Sequence, residues 1–375
     1  MGQPYISVIA TAYNRRKYLP FALRSLEAQT LPRDRFEVIV VKNFDDKESD
    51  DIISRNGWKE VYEDSTYHGR KILVGLEESR GEVITFLEDD DMYTNNRLEE
   101  IYRAFKSYDR LAYFHNSQTI IDEDGNVLER PPPFLSISKN LVGGSAIVVD
   151  VDKLRGLAKR YEVDAADLVL RLRVGAYFNS SSESIRRSAL EANAHLLKEL
   201  QISVDDFIFA SSLKAGGLMY LTDERLTLYR VHGENWSFDI DIARSESNNM
   251  YLRRAKTLLY LTKAHKLIGS RLLNDDVNRY LCFEMLNRGA LLLLPLPELG
   301  TLPPELRLSL SDVKLALRCY KVGAVDLVNV AFIMGLAFLS PLLAMPRERL
   351  IIDKLAEGVI KALAMKRALR RAGLR

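Results

Sequence analysis

The sequence predicts an α/β protein, with a mostly parallel sheet flanked by helices and an all-helical C-terminal region. Three observations carry that expectation. Apolar, β-branched runs alternate with amphipathic helical stretches through residues 6–87. One such run, Val83–Leu87, leads directly into four consecutive carboxylates, Glu88, Asp89, Asp90 and Asp91. From residue 239 onward the helical patterns have no strand pattern between them.

In chain order, Ile6–Ala10 reads as a strand and Thr11-Ala12-Tyr13-Asn14 as the loop after it. A helix fits Tyr18–Gln29, because Leu19, Ala22, Leu23 and Leu26 share one face and Pro20 is tolerated in a first turn. Phe36–Val41 is a second buried strand, Asp50–Arg55 a short helix and Glu60–Tyr62 a short strand. His68–Ser79 is a helix ending near Gly81, and Val83–Leu87 a buried strand without alternation. Such βαβαβ alternation gives right-handed crossovers and a ligand cleft at the carboxyl ends of the strands. The acidic run sits at that end. Packed carboxylates repel, and a hard divalent cation such as Mg²⁺ or Mn²⁺ relieves the repulsion with oxygen ligands. The alternative is a solvated acidic turn before a helix capped by Thr94 or Asn96.

Further on, Arg97–Lys106 reads as a helix, Leu111–Asn116 as a strand, and Thr119–Asp122 with Val127-Leu128 as a hairpin. Pro131–Pro133 is an extended connector, and the glycine turn at Gly143-Gly144 opens a strand. Asn179–Glu183 is a polar loop, and Glu183–Leu200 is expected to be an amphipathic helix on which His195 is ordinary. Ser203-Val204-Asp205-Asp206 opens the next helix, with the acids in a first turn that the helix dipole favours.

Several of these segments together resemble the inverting family 2 glycosyltransferases of GT-A fold. They are Ser7–Arg15 with its Tyr-Asn-Arg, Leu26–Thr30 ending Gln-Thr, Phe36–Val41, and Arg80–Leu87 before the acids. The resemblance implies a nucleoside diphosphate sugar donor, a hydroxyl acceptor, and Mn²⁺ or Mg²⁺ at an Asp-x-Asp motif. Glu88 matches the first acid of that motif and Asp90 the second, the metal contact; Asp89 and Asp91 stay open as alternatives in an unbroken acidic run. Thr11 and Tyr13 match the nucleoside pocket. Lys42-Asn43 stands where the family carries an acid that reads the base, with Asp45 following, and Arg70-Lys71 stands in for an absent basic motif. Asp206 matches the general base and Asp205 the acid before it. Tyr229-Arg230-Val231-His232 resembles a closing segment whose His232 approaches metal or diphosphate and whose Arg230 is a phosphate fork, with Asn235 as its last member. The resemblance ends near residue 238 and divides the chain into a GT-A domain, 1–238, and a helical region, 239–375. Rival readings are an inactive GT-A domain used as a binding module, a polymerising member lacking its usual Gln-x-x-Arg-Trp, and a nucleotidyltransferase lacking its glycine-rich loop.

A net charge of +2 over 375 residues argues neither for nor against nucleic acid, and none is expected as a partner. Cys282 and Cys319 are too few for a disulfide framework and point to a reducing compartment. The start shows no signal peptide, and Ile6 replaces the Ser or Thr of a myristoylation motif. Asn248–Lys266 and Asp275–Leu294 read as helices, with Pro295, Pro297, Pro303 and Pro304 after them. Leu327–Pro346 is uncharged and about as long as a bilayer requires, though Asn329, Gly335, Ser340 and Pro341 interrupt it. Ile360–Arg375 reads as a basic interfacial helix. These features predict a cytoplasmic protein held peripherally at the inner face of a membrane, the acceptor then being a glycan or lipid-linked glycan. A single span and a soluble cap with a central helix buried on all sides are the alternatives.

Overall fold

The computed structural model describes residues 3–129, 146–173, 175–233, 248–274, 278–292, 306–322 and 324–343. The chain divides into two compact units, Met1–Asn235 with Lys266–Asn278, and Trp236–His265 with Arg279–Arg375. Residues 266–278, assigned by sequence to the C-terminal region, thus cluster with the first unit. The connector at Pro131–Pro133, Gly143-Gly144, Asn235, the Pro295–Pro304 stretch and Ile360–Arg375 lie outside the described residues.

In the first unit the strands and helices run β1 (Ile6–Thr11), α1 (Leu19–Glu27), β2 (Phe36–Lys42), α2 (Lys47–Arg55), β3 (Lys59–Tyr62), α3 (His68–Glu77) and β4 (Val83–Glu88). There follow β5 (Met92–Tyr93), α4 (Arg97–Ser107), β6 (Leu111–Ile121), β7 (Ala146–Asp150), α5 (Val151–Tyr161) and α6 (Ala165–Leu172). The unit continues with β8 (Glu183–Arg186), α7 (Arg187–Glu191), α8 (Val204–Ala215) and β9 (Leu218–Arg230). One sheet holds every strand among the described residues, ordered β3-β2-β1-β4-β8-β6-β9-β5, with β7 also on β9. The half from β3 to β4 is parallel, as expected. Beyond β4 the sheet is mixed, since β8 runs antiparallel to both β4 and β6.

Alternation along β1 explains why the whole strand is buried. Ile6, Val8 and Ala10 join a core with Leu19, Leu23 and Leu26 of α1 and Ile101 and Phe105 of α4. Ile9 faces α3, where Gly75 leaves room: a Cβ there would lie 2.4 Å from Ile9 Cγ2. Helix α2 begins earlier than expected, at Lys47, because the Asp46 carboxylate accepts from the Ser49 amide at 3.0 Å and caps it.

The expected helix over Glu183–Leu200 is not formed. Glu183–Arg186 is strand β8, whose backbone is bonded on both edges, to β4 and β6, with Ile185 fully buried. Only the short α7 and a 3₁₀ turn at Ala194–Glu199 follow it. Pairing on both edges outweighs the helical spacing of the apolar residues.

The second unit contains α9 (Asn248–Leu267, of which the last two residues fall in the first unit), α10 (Arg279–Leu292), α11 (Leu310–Lys321) and α12 (Leu327–Leu343). Cys282 of α10 and Cys319 of α11 form a buried disulfide, which the reading of a reducing compartment did not anticipate. Among the described residues no helix is long and apolar enough to cross a membrane. Helix α12 is not buried all round: Val330, Ile333 and Leu336 are buried, whereas Leu327, Met334 and Phe338 are exposed. Its buried side meets α10 at Gly289, where a Cβ would lie 2.9 Å from the Phe332 ring.

Candidate active site

Three parallel strands, β2, β1 and β4, bring the loop after β1, the residues after β2 and the acidic run to one sheet edge. The β1 loop turns sharply because Asn14 adopts a left-handed conformation (φ 58°), which Asn tolerates better than most residues. Two reciprocal hydrogen bonds hold the turn. The Asn14 amide donates to Asn43 Oδ1 and Asn43 Nδ2 donates to Asn14 Oδ1, each at 2.9 Å. Asn43 is thereby a latch for the loop. Lys42 beside it is buried and ion-paired with Asp50 at 2.9 Å and Glu60 at 2.8 Å.

The turn delivers Arg15, to which sequence reasoning assigned no role, onto the acids. Arg15 Nη2 lies 2.6 Å from Asp89 Oδ1, and Nη1 lies 2.5 Å from Asp90 Oδ2. Asp89 also accepts from the Tyr13 amide at 3.3 Å. His232 Nε2 is 3.0 Å from the same Asp90 oxygen, its ring tilted against Tyr18 at 4.8 Å. Burial pushes the Asp89 carboxyl up to about 8 despite Arg15. Burial also opposes ionisation of Asp90, but Arg15 and His232 outweigh it and hold its pKa below the usual value.

The remaining expected residues divide into those near this centre and those used elsewhere. Thr11 Oγ1 is 3.2 Å from His68 Nε2, and Lys71 Nζ sits 4.3 Å from the centre of the Tyr13 ring. Burial lowers the pKa of both His68 and Lys71. Glu88 accepts from the Ser180 hydroxyl, while its amide donates to Ser181 Oγ at 3.0 Å. Asp91 is corrected as a metal candidate: its Oδ1 accepts from the Arg230 amide at 3.0 Å and its Oδ2 from Asn179 Nδ2 at 2.9 Å, inside the protein. Arg230 is corrected as a phosphate fork. Its guanidinium is buried and donates to the carbonyls of Asp90, Asp122 and Glu123 at 2.9, 3.1 and 2.9 Å. Arg70 pairs with Glu63 at 3.1 Å and lines a groove of about 580 Å³ with Arg187, His195 and Lys198. Asp45 is exposed.

Asp205 and Asp206 stand in the first turn of α8, and the Asp206 amide donates to Asp205 Oδ1 at 3.0 Å. Ser203 precedes them in a left-handed conformation and makes no side-chain cap. Although Asp205 keeps some exposed surface, its carboxyl is enclosed; burial, then the Asp206 charge, pushes it up to about 8. Glu88 and Glu183 belong to the same electrostatic cluster. Sequence reasoning left Asn179, Ser180 and Glu183 as a polar loop. Its signal was the unusual run Asn-Ser-Ser-Ser-Glu, which closes on the acidic strand end.

Among the described residues no three His, Cys, Asp or Glu side chains form a cage for a metal ion. A smaller donor set does fit a cation. Asp90 Oδ2 and His232 Nε2 converge on Arg15 Nη1, at 2.5 and 3.4 Å, so a cationic nitrogen occupies their common focus. One carboxylate and one imidazole suit an ion that takes its other ligands from phosphate and water.

Residues 7–181 match the family described as Glycosyl transferase family 2. An uncharacterized glycosyltransferase of Nostoc sp. is 25% identical over 249 residues, covering 64% of this chain and 69% of that protein. Two solved structures are also similar. S. aureus TarS 1–349 in complex with UDP-GlcNAc has TM-score 0.49 and 16% identity, covering 89% of this chain and 91% of the other. The mannosyltransferase PcManGT of Pyrobaculum calidifontis, in complex with GDP-Man and Mn²⁺, has TM-score 0.44 and 14% identity, covering 91% and 88%. Residues 7–181, within the α/β unit, thus resemble a glycosyltransferase of family 2.

Proposed function

We propose that the domain transfers a sugar, with inversion, from a nucleoside diphosphate donor to a hydroxyl acceptor, using Mn²⁺ or Mg²⁺ held by Asp90 and His232. When bound, the cation would neutralise charge on the departing diphosphate. The chain's own residues supply the rest. Thr11, Tyr13 and Lys71 line the donor side, and Glu88 is oriented by Ser180 and Ser181. The acceptor oxygen attacks the anomeric carbon as the carbon–diphosphate oxygen bond breaks on the opposite face, and its proton passes to Asp206. The observation that carries this reading is the acidic first turn of α8, which belongs to one electrostatic cluster with Glu88. Asp205 Oδ1 already accepts from the Asp206 amide at 3.0 Å and burial pushes its carboxyl up, so the proton-accepting role is assigned to Asp206.

The exposed Leu327, Met334 and Phe338 of α12 support peripheral attachment to a membrane, and with it a glycan or lipid-linked glycan acceptor. The test is a donor-hydrolysis screen with Mn²⁺ across UDP-, GDP- and dTDP-sugars. One donor should turn over, and Asp90→Ala should abolish that turnover. With an acceptor in hand, Asp206→Asn should lower transfer by about 10²–10⁴-fold while donor affinity holds. No turnover of any donor would replace this reading with that of a binding module.

A further inference from the structure

We propose that Arg15 is a built-in counter-cation of the acidic motif, which holds the place of the divalent ion and must leave it before the ion can bind. The inference rests on the assignment of Asp90 and His232 as the metal pair.

The geometry sets the two cations in competition. Arg15 Nη1 is 2.5 Å from the Asp90 oxygen that also faces His232, and Nη2 is 2.6 Å from Asp89. A divalent ion bound to that oxygen and to the imidazole would lie about 2.0–2.2 Å from each. Every such position is within about 4 Å of the guanidinium nitrogen, where like charges repel, so the two cations compete for one carboxylate oxygen.

The energetics explain why the arginine is present. The side chains of Asp89 and Asp90 are 1% and 7% exposed, and burial already pushes the Asp89 carboxyl up, so negative charge on the pair without a counter-cation would be strongly penalised. Arg15 supplies the compensation and stays 23% exposed, with a route toward solvent that the acids lack. Asn14, latched to Asn43, holds the backbone from which it reaches. Displacing Arg15 therefore requires motion of a long side chain and no rearrangement of the sheet. A guanidinium expelled from two carboxylates can form the same paired hydrogen bonds with phosphate oxygens.

The test measures metal binding with no donor present, so it does not depend on activity. Mn²⁺ affinity is read by electron paramagnetic resonance for wild type, Arg15→Gln and Arg15→Lys, and melting temperature is read in chelator and in Mn²⁺. Arg15→Gln should bind Mn²⁺ about 10-fold more tightly or better. It should melt lower than wild type in chelator and regain the difference in Mn²⁺. Arg15→Lys, which keeps one charge but loses the fork, should fall between the two and serves if the glutamine variant does not fold. Equal Mn²⁺ affinity in all three proteins overturns the competition and leaves the metal pair standing. No Mn²⁺ binding by any of them overturns both.

Discussion

The Tyr113 hydroxyl oxygen lies 2.5 Å from Glu183 Oε1 and 2.7 Å from the Ala176 carbonyl oxygen. A hydroxyl has one hydrogen, and a carbonyl can only accept. With the tyrosine proton on Ala176, the short contact to Glu183 is satisfied by a proton on the glutamate. Burial, then the charges of Asp205, Asp206 and Glu88, also pushes the Glu183 carboxyl well above its usual range. Folding therefore takes up a proton. A raised folded-state pKa contributes stability that is complete below the unfolded value, about 4.3, and is lost as pH rises through the folded one. Glu183→Gln mimics the protonated form. The stability difference between variant and wild type should grow in the variant's favour by about 1.4 kcal/mol per pH unit above pH 5. Thermal unfolding of both proteins across pH 5–8 checks it, and parallel curves would mean that Glu183 is ionised in the folded protein.

How legible the site was depends on how far apart its parts lie in the chain. Glu88–Asp91 follow a buried strand, and the Tyr-Asn-Arg loop follows another; both signals are local and could be read directly. The role of Asp91 could not, because its partners Asn179 and Arg230 are 88 and 139 residues away. Arg230 looked like a phosphate ligand by its neighbours in sequence, yet its donors meet carbonyls more than 100 residues upstream. Glu183 was hidden for a related reason. Its strand exists only because β4 and β6 leave a slot with two bonding edges, and nothing within Glu183–Leu200 records that slot. Arg15 was local but silent, since an arginine after a loop asparagine acquires meaning only when the turn aims it at the acids.

Gly69 tests whether the first turn of α3 is as tightly fixed as its contacts imply. The Tyr67 side chain does not cap this helix; instead the Gly69 amide donates to the Leu200 carbonyl at 2.9 Å. A Cβ on Gly69 would lie 2.1 Å from the Leu197 carbonyl oxygen, a backbone atom that cannot rotate away. Gly69→Ala should cost about 1–3 kcal/mol in denaturant unfolding. It should also weaken donor binding, because His68 and its contact with Thr11 sit on the displaced turn. Gly156→Ala in exposed α5 is the control: a Cβ there meets nothing, so stability should rise by about 0.5–1 kcal/mol. Equal effects at the two sites would contradict the packing.

The Cys282–Cys319 bond predicts where the helical unit draws its order. It joins α10 to α11 across a sequence separation of 37 residues, and both cysteines are fully buried. Closing a loop of that length restricts the unfolded chain by about 4 kcal/mol on the entropic account. The double variant Cys282→Ala, Cys319→Ala should thus lower the stability of α10–α12 by about 2–4 kcal/mol. Alanine pairs leave no thiol to re-form a bond, and they pack as small apolar side chains. Hydrogen exchange followed by mass spectrometry separates the relevant regions: amides of α10, α11 and α12 should exchange faster while those of β1 and β4 keep their protection. Unchanged exchange in the helices would mean that packing such as Gly289 against Phe332, rather than the bond, holds them together.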